Sequence, residues 1–127
     1  MSVFFLLLIG VATWYGGPAE PVDGNALYCD RGNGLVYSET AEPWVALALP
    51  LYNTWAECGD MILITGDGWE IQARALDSGW LHKYRTAEWP EYPILVDFPY
   101  HLAPFEGTSL VTIQNLSRPY YGPALTQ

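Results

Sequence analysis

Met61-Ile62-Leu63-Ile64-Thr65-Gly66-Asp67-Gly68-Trp69-Glu70-Ile71-Gln72-Ala73-Arg74-Ala75-Leu76-Asp77 is the stretch from which the architecture can be read. Its first five residues are apolar or β-branched, as a buried strand requires. Gly66-Asp67-Gly68 is a tight-turn signal. Beyond it Trp69, Ile71, Ala73 and Ala75 alternate with Glu70, Gln72 and Arg74, which marks a strand with one wet face. The segment is therefore a β-hairpin, closed by Asp77-Ser78-Gly79.

Working outward, the same punctuation recurs. Ala12-Thr13-Trp14-Tyr15 reads as a strand stopped by Gly16-Gly17-Pro18, and Trp44-Val45-Ala46-Leu47-Ala48-Leu49 as a buried strand ended by Pro50. Ile94-Leu95-Val96-Asp97-Phe98 is an apolar strand carrying one charge, and Ser109 to Asn115 alternates as a last strand. Between them lie a loop from Ala19 to Glu42, with Leu35-Val36-Tyr37 as a short strand within it, and an aromatic, irregular segment from Trp80 to Tyr92. Single helical turns are expected at Leu51–Ala56 and Tyr100–Phe105. About six strands, no strong helix and no internal repeat describe an all-β chain, and closing them into a small barrel removes the exposed edges they would otherwise leave.

The chain has 127 residues, 50% hydrophobic and 15% charged, enough for one domain with a core of its own. Residues 12–116 are assigned to that domain. Residues 1–11 are either a signal segment or an N-terminal strand, and residues 117–127 a loosely packed tail. The run from Val3 to Val11 is too short to span a bilayer as a helix. It resembles the apolar part of a secretion signal, with Gly10 and Ala12 as small residues at a cleavage point, and equally a fully buried strand. Fourteen acidic against five basic residues give a net charge of -9, a field that repels phosphate backbones, so no nucleic-acid partner is expected.

Cys29 and Cys58 are the two cysteines, each beside turn-forming residues. Paired loop cysteines point to a disulfide, worth on the order of 3 kcal/mol, and to a secreted or periplasmic, cell-envelope location. No CxxC or HxxxH spacing indicates a metal site, and neither metal nor cofactor is expected.

Two acids stand out among apolar neighbours: Asp77, ending Ala75-Leu76-Asp77, and Asp97, within Val96-Asp97-Phe98. A carboxylate in such surroundings is paired, hydrogen-bonded or raised in pKa, the last being what a general acid needs. Structural clamping at a strand end is the competing explanation. Trp80, His82, Tyr84, Trp89 and Tyr92 lie between them, flat side chains on which sugar rings stack or which cap a barrel.

The order Ala12-Thr13-Trp14-Tyr15-Gly16-Gly17, Val45 to Pro50, Cys58-Gly59-Asp60, Ala75 to Gly79 and Val96-Asp97-Phe98-Pro99 resembles the double-psi β-barrel group: rare lipoprotein A, the 3D domain of lytic transglycosylases, expansins, barwin and small endoglucanases. The resemblance implies a six-stranded double-psi barrel acting on β-1,4-linked glycans, peptidoglycan among them. It implies Asp77 and Asp97 as catalytic residues, and it matches Thr13 and Tyr15 to the Thr and Tyr of the expansin Thr-Phe-Tyr-Gly motif. With Trp80, Tyr84 and Trp89 they form the expected substrate-binding set. The sequence departs from the pattern at Ala46, where rare lipoprotein A has a histidine, at Ser78, where it has an arginine, and at Val96, an aromatic in expansins.

One carboxyl group suffices for a lytic transglycosylase, as acid and then base; a hydrolase needs two flanking the bond. From position, Asp77 beside Ser78-Gly79 is expected to move the proton and Asp97 to orient. Three functions remain open: a glycan-cleaving enzyme, a catalytically silent barrel that binds polysaccharide or builds a secreted or virion assembly, and a self-associating subunit joined through the N-terminal apolar segment.

Overall fold

The computed structural model describes residues 3–4, 7–17, 20, 22, 24–38, 42–118 and 120–121. Strands β2 (Leu7–Tyr15), β3 (Trp44–Ala48), β4 (Met61–Gly66), β5 (Trp69–Gly79), β6 (Ile94–Pro99) and β7 (Ser109–Asn115) close into a barrel in the order β2-β6-β3-β5-β4-β7. A separate pair of two-residue strands, β1 (Val3–Phe4) and β8 (Tyr120–Tyr121), runs antiparallel. The expectation of an all-β, six-stranded closed barrel is met. Two neighbouring pairs are parallel, β2 with β6 and β3 with β5, and the remaining four are antiparallel.

The hairpin read from sequence is β4–β5, with Gly66 opposite Trp69 across Asp67-Gly68. Gly68 takes the left-handed conformation of the turn, which its missing Cβ permits. Alternate residues of each strand then point inward. Val45, Leu47, Ile62, Ile64, Ala73, Ala75, Val96, Phe98, Val111 and Ile113 form one buried cluster, each large side chain contributing about 1.5–3 kcal/mol by leaving water. Trp69, Phe98 and Phe105 pack ring on ring within it, with centroids 5.7–5.9 Å apart.

All five residues of β3 are buried, on both faces. The outer face is covered by the long loop, whose Leu27 and Tyr37 pack on Trp44 in a second cluster with Tyr15, Leu35 and Leu76. Leu35 to Tyr37 forms a single bridge, Ala26 to Val36, rather than a strand. The loop is fastened by the disulfide between Cys29 and Cys58 and by Cys29 N–H donating to the Leu76 carbonyl at 2.9 Å.

Asp60 locks the far side. It accepts from the Glu57 N–H and from Asn115 Nδ2, each at 2.9 Å, and from the Arg118 guanidinium. Burial alone would raise its pKa, but these donors outweigh it and hold the carboxyl below its ordinary range.

Three local expectations are corrected. The N-terminal strand is not fully buried, because the pleat sends Leu7 (51% exposed) and Ile9 (52% exposed) to solvent while Leu8 packs on the core. The tail is not loose at its start: Ser117 Oγ accepts from Met61 N–H, and Arg118 pairs with Asp60 and Glu57. Residues 119 and 122–127 lie outside the described residues. The turn expected at Leu51–Ala56 begins earlier, as a 3-10 turn over Leu49–Leu51 with Pro50 in its first positions, and continues through Asn53 at φ 65° to a Tyr52–Ala56 bridge.

Candidate functional site

Register places four residues in one row across four adjacent strands. Asp77 of β5 lies opposite Ala46 of β3, Ala46 opposite Asp97 of β6, and Asp97 opposite Thr13 of β2. Val96 and Phe98 point into the core, so Asp97 between them points outward, and the same alternation places Thr13 outside Ala12. Neighbouring strands are about 4.8 Å apart, so the Asp77 and Asp97 backbones stand about 10 Å apart across β3. The buried methyl of Ala46 separates them.

The two carboxyls have different environments. Asp97 Oδ1 accepts from Thr13 Oγ1 at 2.9 Å. Burial pushes its pKa up to about 7, the Thr13 bond opposes that rise, and the charges of Glu20 and Asp77 add to it. Asp97 therefore exchanges a proton near neutrality. Asp77 is engaged at both oxygens: Oδ2 accepts from Tyr15 OH at 2.7 Å and Oδ1 from Tyr28 N–H at 2.9 Å. Its own carbonyl accepts from Tyr52 OH at 2.6 Å. Burial, reinforced by Asp77, raises the Tyr15 and Tyr52 hydroxyls far above the ordinary tyrosine range, so both stay protonated and donate to Asp77.

Gly16 and Gly17, both left-handed, turn the chain away at the end of β2. A Cβ on Gly16 would collide with the Tyr37 hydroxyl, so only glycine lets the long loop close over Tyr15 here.

Four of the sequence-expected residues thus meet: Thr13 with Asp97, and Tyr15 with Asp77. The aromatic set is arranged differently. Trp80 and Tyr84 are exposed and Trp89 half-buried, with Lys83 Nζ 4.6 Å over the Trp80 ring. Elsewhere, Trp14 near the end of β2 and Tyr100, in the 3-10 turn that follows β6, stand edge to face at 5.1 Å. With His101, Phe105 and Glu106 they line a cavity of about 490 Å³. The sequence reading also missed Tyr28 and Tyr52, which hold Asp77. The available signal was their position, next to Cys29 and shortly before Cys58, since a bridged loop must lie against the strand it covers. The Nδ1 atoms of His82 and His101 are buried without a hydrogen-bond partner among the described residues. No group of three His, Cys, Asp or Glu side chains suited to a metal occurs among those residues.

No protein-family model and no curated protein matches the chain in sequence. Its structure is similar to the crystal structure of an apo expansin from Clavibacter michiganensis, with TM-score 0.57 and 18% sequence identity, covering 91% of this chain and 53% of that one. The chain thus spans about half the length of the expansin it matches. With the closed six-stranded order, that likeness makes the fold a double-psi β-barrel.

Proposed function

We propose that this barrel acts on a β-1,4-linked cell-wall glycan laid along the row Asp77, Ala46, Asp97 and Thr13, with Asp97 as the acid and base. The observation that carries the reading is Asp97 itself: an outward carboxyl, bonded to Thr13 and poised near pH 7, with the hydrogen-bonded Asp77 across β3. This reverses the roles expected from sequence. What supports the reversal is that Asp77 already accepts a bond at each oxygen, whereas Asp97 accepts one from Thr13.

The chemistry is transglycosylation of a peptidoglycan strand. Protonated Asp97 gives its proton to the glycosidic oxygen as the bond to C1 breaks. The resulting carboxylate then takes the proton of the sugar's own C6 hydroxyl, whose oxygen bonds to C1 and leaves a 1,6-anhydro sugar. Asp77, as carboxylate, stabilises the positive charge that develops at C1. The disulfide supports a compartment outside the reducing cytosol.

The test is digestion of purified peptidoglycan, and of cellulose in parallel, by wild type, Asp97→Asn and Asp77→Asn, with products read by mass spectrometry. Anhydro-sugar products from wild type that vanish in Asp97→Asn support the reading; products that persist in that variant remove Asp97 from the mechanism. A second reading, a glycan-binding barrel without catalysis, is favoured by Ala46 standing where rare lipoprotein A has a histidine. Glycan binding by wild type with no product from either polymer selects it.

A further inference from the structure

We infer that the polar hollow beside Asp77 is a subsite for one pyranose ring of the glycan strand, an inference that rests on the glycan-directed function proposed above. The hollow has a volume of about 240 Å³ and is lined by Tyr28, Arg31, Tyr52, Asn53, Glu57 and Cys58. That is below the range of roughly 300–1,000 Å³ typical of sites for drug-sized ligands, so it suits a single ring.

Its lining has the two components that a sugar ring requires. The Tyr28 ring, 38% exposed and packed at 4.9 Å on the buried Tyr52 ring, supplies the apolar surface against which C–H groups pack. Around them stand polar groups with capacity to spare. The Arg31 guanidinium touches Cys58 Sγ at 3.9 Å and forms no ion pair among the described residues, which leaves donors for hydroxyls. Glu57 meets Arg118 through Oε2 at 2.7 Å, so its charge is compensated while its other oxygen remains an acceptor. Asn53 brings an amide that donates and accepts.

Continuity places this hollow on the path of the strand. Tyr28 N–H and Tyr52 OH bond to Asp77 Oδ1 and to the Asp77 carbonyl, so the residues that wall the hollow are those that hold the acid. A glycan crossing Asp97, Ala46 and Asp77 along the row enters it next. The disulfide fixes one side, joining the turn that carries Tyr28 to the one that carries Glu57. Asn53 is the non-glycine residue in the left-handed region among the described residues, at φ 65°, and it presents a side chain where glycine would be the easier choice.

Asn53 therefore offers a clean variant. Asn53→Gly keeps the left-handed backbone and removes the amide, and Arg31→Gln removes the guanidinium. Chito- and cello-oligosaccharides of increasing length are titrated into wild type and both variants by calorimetry, with backbone amide shifts followed by NMR and melting temperatures measured alongside. In wild type, affinity is expected to rise when the oligomer becomes long enough to fill the hollow, with shifts at Tyr28, Arg31 and Asn53. Both variants should lose that increment, about fivefold on the long oligomers, with no change on the shortest and melting temperatures near wild type. Shifts confined to Thr13, Trp14 and Asp97, equal loss at every length, or no binding at any length would overturn the subsite. Cleavage that needs Asp97 while the hollow stays unshifted removes the subsite and leaves the proposed function standing. Occupancy of the hollow by oligomers that are never cleaved does the reverse.

Discussion

Thr13 and Asp97 face each other across the parallel pair β2–β6, with Thr13 Oγ1 donating to Asp97 Oδ1 at 2.9 Å. The bond favours the ionised carboxyl and burial disfavours it; burial wins, leaving the pKa at about 7. The same balance governs how the protein should respond to pH and to substitution around the two acids.

Asp97 titrates near its ordinary value when the chain is unfolded and at about 7 when folded. For a raised pKa, the stability is full below the unfolded value and is lost as pH rises through the folded one. Wild type should therefore lose a few kcal/mol between about pH 4 and pH 8, since each tenfold difference in proton affinity between the two states is worth about 1.4 kcal/mol. Asp97→Asn, which keeps an acceptor for Thr13, should be more stable than wild type at pH 8 by about 2–4 kcal/mol and by much less at pH 5. Urea denaturation at the two pH values decides it; a variant weaker than wild type at pH 8 contradicts the burial argument.

Thr13→Val deletes the donor while keeping the shape. The Asp97 pKa should then rise further, and any glycan cleavage that uses the protonated acid should extend to more alkaline pH. Stability should fall by about 1 kcal/mol at pH 8, where the lost bond is to a charge. Carboxyl NMR titration of wild type and variant reads the direction, and a downward shift would be incompatible with the Thr13 bond.

Tyr15 OH donates to Asp77 Oδ2 at 2.7 Å, a charge-assisted bond. Tyr15→Phe should cost about 1–3 kcal/mol. In a double-mutant cycle with Asp77→Asn the coupling should reach about 1 kcal/mol or more. Additive losses would mean that the two side chains are not partners in solution.

Cys29 and Cys58 are bridged across 29 residues of sequence. Free-thiol titration of the unfolded, unreduced protein should find none, and replacing both cysteines by alanine should cost about 3–4 kcal/mol on the chain-entropy scale. Two reactive thiols would refute the pairing. Because Tyr28 and Cys29 are consecutive, the same variant should loosen the Tyr28 bond to Asp77, seen as faster amide exchange at Tyr28.

Much of the fold was legible in local pattern. The hairpin around Asp67-Gly68, the buried β3 and the single charge in β6 follow from side-chain period and turn chemistry, which act over a few residues. Asp77 and Asp97 were visible for the same reason, as charges that break apolar runs. What local pattern does not show is pairing across distance. Trp80, Tyr84 and Trp89 are legible because aromatics cluster there in sequence, whereas Trp14 of β2 meets Tyr100, in the turn that follows β6, only once the barrel is closed.

By itself, then, the sequence determined that this is an all-β chain with six strands, a loop disulfide and two conspicuous acids. The pairing of β2 with β6 and of β3 with β5 was decided only by the tertiary structure, because parallel register depends on how the whole barrel closes and leaves no mark in any short window. From that register came the row Asp77, Ala46, Asp97, Thr13, and with it the different hydrogen-bond partners of the two carboxyls and the raised pKa of Asp97. Burial and bonding partners set a carboxyl's pKa, and both belong to the folded barrel.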